Sequence, residues 1–189
     1  MRWLTRRGAA AALAVGLATI WGFGWRGLVL LLAFFVSGSL LTEGGGQRSE
    51  RQVLANGGVA ALAALAGSWI AFAGALATAT ADTWASEIGR HARTPPRLIT
   101  NGKPVAAGTD GGMTLLGTTA GIAGAGLIAA LSYVFGQRGA PAIAVAGVVG
   151  MLVDSLLGAT AQGKIPWMDN DAVNLAATLT GAACARLVA

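Results

Sequence analysis

The chain is built from apolar stretches about as long as a membrane is thick, and this feature constrains its fold most. A helix needs roughly 20 apolar residues to cross a bilayer. Stretches close to that length cover residues 8–25, 27–42, 53–67, 68–89, 113–135, 141–163 and 171–189. Only 11% of the 189 residues are charged, whereas soluble domains carry roughly 25%. The sequence predicts one all-α, polytopic integral membrane domain, residues 1–189, with about seven transmembrane helices. Six helices are the alternative, because almost no loop separates two spans at Gly67-Ser68.

The basic residues predict the orientation of these spans. If the N-terminus is cytoplasmic, ten of the 13 basic residues fall on the cytoplasmic side, and Arg26, Arg138 and Arg186 fall outside. The ten are Arg2, Arg6, Arg7, Arg48, Arg51, Arg90, Arg93, Arg97, Lys103 and Lys164. This bias follows the positive-inside rule. We therefore expect a protein of the cell (inner) membrane with a cytoplasmic N-terminus, and topology rather than nucleic-acid binding explains the net charge of +5.

Two carboxylates are predicted to lie within apolar helices. From a rise of 1.5 Å per residue, Asp82 lies about 10 Å and Asp154 about 14 Å inside the cytoplasmic ends of the fourth and sixth spans. An aspartate at such a depth costs on the order of 2 to 3 kcal/mol, so it is a candidate functional residue. The alternative is a structural pair with an arginine or a hydrogen-bonded acid. No basic residue lies inside the cytoplasmic-side helices to neutralise both acids.

Glu87 is the third acid considered for the same site. In an ideal helix it lies about 140° around the axis from Asp82, whereas Ser86 shares the face of Asp82. Glu87 lies in the last turn before Gly89, a predicted C-cap, and fraying of the helix or a turn there could bring it back toward Asp82. Carboxylates without His or Cys suit Mg²⁺, which takes one or two carboxylates with phosphates and waters. The predicted Mg²⁺ ligands are Asp82, Glu87 and Asp154, with Ser86 and Ser155 beside them.

Residues 90–112 form the predicted cytoplasmic functional loop. The segment RLITNGKPVAAGTDGG contains two turn signals and leads into a helix N-terminus. Backbone N–H groups and the helix dipole make such a segment suitable for an anion. It lacks the GK[ST] ending of a Walker loop, so an ordinary turn with an N-cap is the alternative. The predicted phosphate-binding residues are Arg97, Lys103, Thr109, Asp110, Gly111 and Gly112.

Two further cytoplasmic segments contain candidate residues. ERQVLANGG contains Arg51 and Asn56, and Arg51 could bind a phosphate. It could equally be an interfacial residue that sets topology. PWMDNDAVN contains Asn170 and Asn174 and is either a capped helix start or another wall of the site. The single Cys184 excludes a disulfide framework and a cysteine metal site, and we expect it to serve packing.

Five blocks of this sequence resemble one family of membrane proteins. They are QVLANGG (52–58), ATADTWASEIG (79–89), PPRLITNGKPVAAGTDGG (95–112), VDSLLGATAQ (153–162) and DNDAVN (169–174). The family includes the plant phytyl-phosphate kinase of tocopherol synthesis and the eukaryotic transmembrane protein 19. The resemblance runs from about residue 50 to the end. The chain departs from the family pattern at Asp110, where Asn is expected, and at Thr114, where Ser is usual.

The resemblance implies a kinase that transfers a phosphoryl group, with CTP as donor, to an isoprenoid monophosphate such as phytyl or geranylgeranyl phosphate. The acceptor is already an anionic nucleophile, so the reaction needs Mg²⁺ and basic residues rather than a general base. Expected roles are metal binding for Asp82, Glu87 and Asp154, and nucleotide binding for Lys103 and residues 109–112. Arg51 and Asn56 are expected near the acceptor phosphate. Membrane lipid surrounds the protein, and the sequence leaves a homo-oligomer open.

Two other functions use the same residues. A transporter or channel could bind a cation or proton at these acids, but it would need polar groups leading outward. Residues 69–76 and 142–150, in the outer halves of the two helices, are apolar or glycine apart from the indole N–H of Trp69. A cytidylyltransferase acting on a lipid phosphate would need similar metal and phosphate ligands, and residue spacing does not separate it from a kinase.

Overall fold

The computed structural model of the chain describes residues 3–43 and 46–189. Arg2, one of the predicted cytoplasmic basic residues, lies outside the described residues. The described chain contains helices α1 Arg6–Leu41, α2 Glu50–Leu65, α3 Trp69–Gly89, α4 Leu115–Val134, α5 Ala140–Thr160 and α6 Asn170–Val188. A short antiparallel pair, β1 Arg97–Leu98 and β2 Gly112–Met113, lies between α3 and α4. The all-helical class is confirmed. The described residues form six helices, whereas the sequence predicts about seven spans.

The difference in number arises at Gly24, inside α1. Its φ of 60° and ψ of −147° are not helical, and such a conformation is accessible chiefly to glycine. A straight helix of 36 residues would be about 54 Å long, yet the rings of Trp3 and Phe35 are only 5.8 Å apart. The chain therefore folds back at Gly24, one residue before the predicted end of the first span, 8–25. By length and composition, α1, α4 and α5 qualify as candidate membrane spans.

A second tight reversal separates α2 from α3. Gly67 has a φ of 67°, and its N–H donates to the carbonyl of Ala64 at 3.0 Å while the N–H of Ser68 donates to that of Ala63 at 2.9 Å. This pattern is a Schellman-type helix ending, in which glycine adopts the left-handed conformation without a Cβ penalty. Two separate helices therefore meet where the sequence offers almost no loop.

Helix α3 lies at the centre of the bundle. All residues from 71 to 81 are buried, and neighbouring helices approach their backbone at glycines. A Cβ at Gly124 of α4 would lie 3.1 Å from the Thr80 carbonyl oxygen, and one at Gly150 of α5 would overlap the Thr78 side chain. Small residues permit this close approach where hydrophobic association in lipid is absent. Cys184, on α6, is partly buried and free.

The long connections lie together at one end of the bundle. Arg48 exchanges backbone hydrogen bonds with Trp3 and Thr5, and Arg51 forms an ion pair with Asp169. At the opposite end, Trp25 packs on Phe135 with ring centroids 5.3 Å apart. We call the end that carries residues 42–43, 46–49, 90–114 and 161–169 the loop end. All eight acidic residues lie at the loop end or in the parts of the helices next to it.

Candidate functional site

A cavity of about 660 Å³ lies at the loop end, between α3, α4, α5 and the loop that joins α3 to α4. Asp82 and Asp154 both line it, and their carboxyl groups lie close enough to interact with each other. The packing of α3 on α5 explains this meeting. Gly150 lies against Thr78, the two helices run in the same direction, and one turn later each presents its aspartate. The predicted convergence of the two acids therefore has a direct structural cause.

The two carboxylates fit a divalent cation. Oδ2 of Asp154 is buried without a hydrogen-bond partner, and the carboxylate of Asp110 lies near it as well. Among residues 3–43 and 46–189, no group of three or more His, Cys, Asp or Glu residues is arranged to hold a metal by itself. Two carboxylates completed by substrate phosphates and waters are, however, a common arrangement for Mg²⁺.

The predicted glycine-rich loop reaches the same cavity. Thr109, Asp110, Gly111 and Gly112 all line it. Gly111 has a φ of 73° and presses on α5 so closely that a Cβ would lie 2.5 Å from the Ser155 carbonyl oxygen. Gly158, the small residue on the face of Asp154, makes room for this contact: its Cβ position would be 3.2 Å from the Gly111 nitrogen. The loop is thereby fixed beside Asp154.

The short strands hold the two ends of this loop together. Arg97 pairs with Met113 and Leu98 with Gly112, and the Ile99 N–H donates to the Gly111 carbonyl at 3.0 Å. The strand pair was not predicted, because two-residue strands leave no periodic signal. Thr114 then caps α4 by accepting from the Gly117 N–H at 2.9 Å, and it also lines the cavity.

Arg90 and Arg93 are the basic residues that line the cavity. Both were predicted to lie at the start of the cytoplasmic functional loop 90–112 and to set the topology, but neither was predicted to contact a ligand. A signal for Arg90 was available, because residues 82, 86 and 90 recur at i,i+4 spacing on one helix face. Arg97 and Lys103 do not line the cavity: the Arg97 guanidinium donates to the Gly102 carbonyl at 2.9 Å, and Lys103 is exposed. Their predicted phosphate contacts remain untested.

Ser86, Ser155 and Asn170, three candidate site residues from the sequence, also line the cavity. The first two flank the aspartates on α3 and α5, and Asn170 is the first residue of α6. Thr94, Thr118 and Gln162 complete the polar lining. Thr118 was missed because a single threonine in an apolar helix is more often bonded to its own backbone, as it is here to the Thr114 carbonyl.

Glu87 lies on another face of α3 and does not line the cavity. Its carboxylate contacts Arg90 at 2.5 Å. The predicted C-cap at Gly89 is wrong: Gly89 is the last helical residue, and the cap residue is Arg90, with a φ of −63°. Gly89 instead permits close packing on Gly117, 3.2 Å from its Cβ position. The last turn is regular, so it does not rotate Glu87 toward Asp82, and the predicted metal role of Glu87 stays untested.

Arg51 and the start of α6 form a separate ionic cluster. The guanidinium lies 2.5 Å from Asp169 and 3.4 Å from Asp171. Asp169 caps α6, and the backbone N–H of Ala172 is the main cause that lowers its pKa; the hydrogen bond and charge of Arg51 act in the same direction. Arg51 does not line the cavity, although Asn170, between the two acids, does.

The other two predicted amides lie away from the cavity lining. Asn56 donates to the carbonyl of Gln52 at 3.0 Å on its own helix. Asn174 is buried within the bundle on α6. Their predicted contacts with substrate remain untested.

Comparison with known proteins extends over nearly the whole chain. The family described as "Integral membrane protein DUF92" matches residues 1–182. An uncharacterized membrane protein of Methanocaldococcus jannaschii is 37% identical over 95% of this chain and 83% of its own length. An uncharacterized membrane protein of Synechocystis is 34% identical over 96% of this chain and 81% of its own length.

Two plant proteins match as well. Protein VTE6, chloroplastic, of Arabidopsis thaliana is 29% identical over 91% of this chain and 61% of its own length. Protein PGR of the same plant is 34% identical over 74% of this chain and 65% of its own length. No solved structure matches this chain.

Proposed function

The chain belongs to the DUF92 family of integral membrane proteins, and we propose that it is a Mg²⁺-dependent isoprenoid-monophosphate kinase. This is the family that the sequence resembles, and it includes the plant phytyl-phosphate kinase. The donor is CTP, as the resemblance implies, and the acceptor is phytyl, geranylgeranyl or another polyprenyl phosphate. The product is the corresponding diphosphate.

One observation carries the proposal: two aspartates on neighbouring helices meet at a cavity whose other wall is a glycine-rich loop. Phosphoryl transfer between two polyanions needs chiefly positioning and cancellation of charge. Asp82 and Asp154 would hold Mg²⁺, which when bound neutralises phosphate oxygens. The backbone of residues 109–112 contributes N–H donors for phosphate, and Arg90 and Arg93 contribute positive charge.

The acceptor's own oxygen is the nucleophile, so the site needs no general base. The acceptor phosphate attacks the γ-phosphorus of the nucleotide, a new P–O bond forms, and the bond to the nucleoside diphosphate breaks. The dianionic acceptor brings no hydroxyl proton that must be removed. This requirement agrees with a cavity lined by carboxylates, arginines, hydroxyls and backbone but by no histidine.

The proposed membrane arrangement brings the two substrates together. The proposal includes seven crossings, with the two halves of α1 as the first two, a cytoplasmic N-terminus, and the loop end on the cytoplasmic side of the cell membrane. It is supported by the excess of basic residues at that end. A nucleotide would then approach from the cytoplasm, while the isoprenoid chain stays in lipid and its phosphate lies at the interface.

The test is product formation by purified protein in detergent or liposomes with Mg²⁺, CTP and geranylgeranyl phosphate. Wild-type protein is expected to form the lipid diphosphate. Asp82→Asn and Asp154→Asn keep the side-chain shape but remove the charge, and each is expected to lower kcat at least ~100-fold, the order lost when one transition-state charge contact is removed. Glu43→Gln, an exposed acid at the loop end outside the cavity lining, is the matched control and should retain activity.

Full activity of both aspartate variants would refute the assignment of the site. No diphosphate from any nucleotide or isoprenoid phosphate tried would refute the kinase. Ion or proton flux through liposomes that Asp154→Asn abolishes would instead support the transporter described above, against which the apolar outer halves of α3 and α5 already argue.

A further inference from the structure

Three charged residues form a row that leads from the first helix to the cavity. Arg48 donates to the Ser39 hydroxyl at 3.1 Å and lies near Glu87, whose negative charge partly offsets the lowering of the Arg48 pKa by burial. Glu87 in turn contacts Arg90 at 2.5 Å, and Arg90 lines the cavity. The row therefore joins α1 to the candidate site through one carboxylate.

The exposure of the side chains changes along this row. The Glu87 side chain is only 12% exposed, whereas that of Arg90 is 43% exposed. An arginine has five N–H donors in a planar fork, so the contact with Glu87 leaves donors free to face the cavity. The Glu87 carboxylate contacts the Arg90 guanidinium, and Arg48 acts on it only through its charge, so the three side chains together keep a net positive charge of one. An anion bound in the cavity would neutralise this positive charge.

We propose that Arg90 binds a polyphosphate in this cavity and that Glu87 is the residue that positions it. The identity of the ligand as the nucleotide donor rests on the proposed function, but polyphosphate binding does not depend on catalysis. A free arginine loses rotamer entropy when it binds a ligand, at about 0.5–1.5 kcal/mol for a rotamer-rich side chain. A carboxylate that already holds the guanidinium reduces this loss.

The helical phase of Glu87 supports this role. Its position about 140° from Asp82 turns it away from the two aspartates and toward Arg48 and α1. Glu87, which the sequence predicts as a metal ligand, thus lies beside Arg48 and Arg90 instead. Arg90 lies on the stripe of Asp82 and Ser86, so a phosphate held by it would lie on the same side of α3 as those residues.

The test measures binding of inorganic triphosphate with Mg²⁺ to purified protein by calorimetry, without lipid acceptor. Variants are Glu87→Gln, Arg90→Gln and the double variant, with Glu50→Gln as a matched control, since Glu50 contacts Arg7 at 3.7 Å outside the cavity lining. Loss of one charge-assisted hydrogen bond is expected to weaken binding about 10-fold or more for Arg90→Gln. Glu87→Gln is expected to weaken it about fivefold, and the double variant should bind no worse than Arg90→Gln alone.

Thermal unfolding of each variant separates positioning from folding. Glu87→Asp keeps the charge on a shorter side chain, and it should bind triphosphate with an affinity between those of wild type and Glu87→Gln. Wild-type affinity in Glu87→Gln, or losses that multiply in the double variant, would overturn the positioning role. Failure of the wild type to bind triphosphate would overturn the site. If triphosphate binds and the effects of the Glu87 and Arg90 substitutions are not additive, but no lipid diphosphate forms, this inference stands and the kinase is refuted.

Discussion

Replacement of Gly111 by alanine tests whether the loop must dock on α5. Gly111 has a φ of 73°, and its Cβ position lies 2.5 Å from both the Ser155 oxygen and the Ala159 Cβ. Gly108 is the matched control in the same loop, because its φ is 84° but nothing lies within 4 Å of its Cβ position. Both substitutions strain the backbone, and only Gly111→Ala also pushes the loop off the helix.

The two costs can be separated. A left-handed conformation costs an L-residue roughly 1–2 kcal/mol, and this cost applies to both variants. Overpacking against a fixed helix backbone adds about 1–3 kcal/mol, and this cost applies to Gly111→Ala alone. Since about 1.4 kcal/mol is a factor of ten, the docked fraction of the loop should fall roughly 5- to 150-fold further in Gly111→Ala than in Gly108→Ala.

Hydrogen exchange of residues 97–112 in detergent measures this difference, because exchange reports the opening of the segment. Amides such as that of Ile99, which donates to the Gly111 carbonyl at 3.0 Å, should exchange faster in Gly111→Ala by that factor. The proposed kinase activity should fall together with the docked fraction of the loop. Equal exchange rates in the two variants would refute the docking of the loop on α5.

Three further predictions concern the fold. Gly24→Ala should destabilise the protein by about 1–3 kcal/mol because of its φ and ψ, whereas Gly16→Ala, in open space on the same helix, should not; equal thermal unfolding temperatures would contradict this. Gly150→Ala should cost about 1–3 kcal/mol through overlap with Thr78, and added Thr78→Ala should restore most of that loss in the same unfolding assay. Because the pKa of Asp169 is lowered in the folded state, its cap should protect the first amides of α6 above about pH 4 and lose that effect as the pH falls through the lowered pKa. Asp169→Asn should remove this pH dependence of amide exchange.

The sequence predicts the helical class and the similar depth of Asp82 and Asp154 because both depend on patterns local to each span. Apolar length sets the helices, and similar depth on helices that run in the same direction places the two acids in the same layer of the bundle, whereas their meeting depends on the packing of α3 on α5. The loop residues 109–112 were predicted for a similar reason, since glycine and a following helix start are visible in the sequence.

The sequence could not predict contacts that depend on how the helices pack. Gly89 looks like a C-cap, yet its missing side chain serves the contact with Gly117. Arg90 looks like a topology signal, yet α3 continues regularly to it and carries it to the cavity. Glycine and arginine each have two common roles in membrane proteins, and only the positions of neighbouring helices decide between them.

The central claim is best tested by following the γ-phosphorus of CTP. Protein is incubated with Mg²⁺, geranylgeranyl phosphate and CTP labelled either in the γ-phosphorus or in the cytidine. The account predicts γ label in the lipid diphosphate, no cytidine label in lipid, and loss of the γ label in Asp154→Asn. Cytidine label in the lipid would identify a cytidylyltransferase. The absence of both labels from lipid, with protein shown to be folded by thermal unfolding, would contradict a phosphotransfer site at these aspartates.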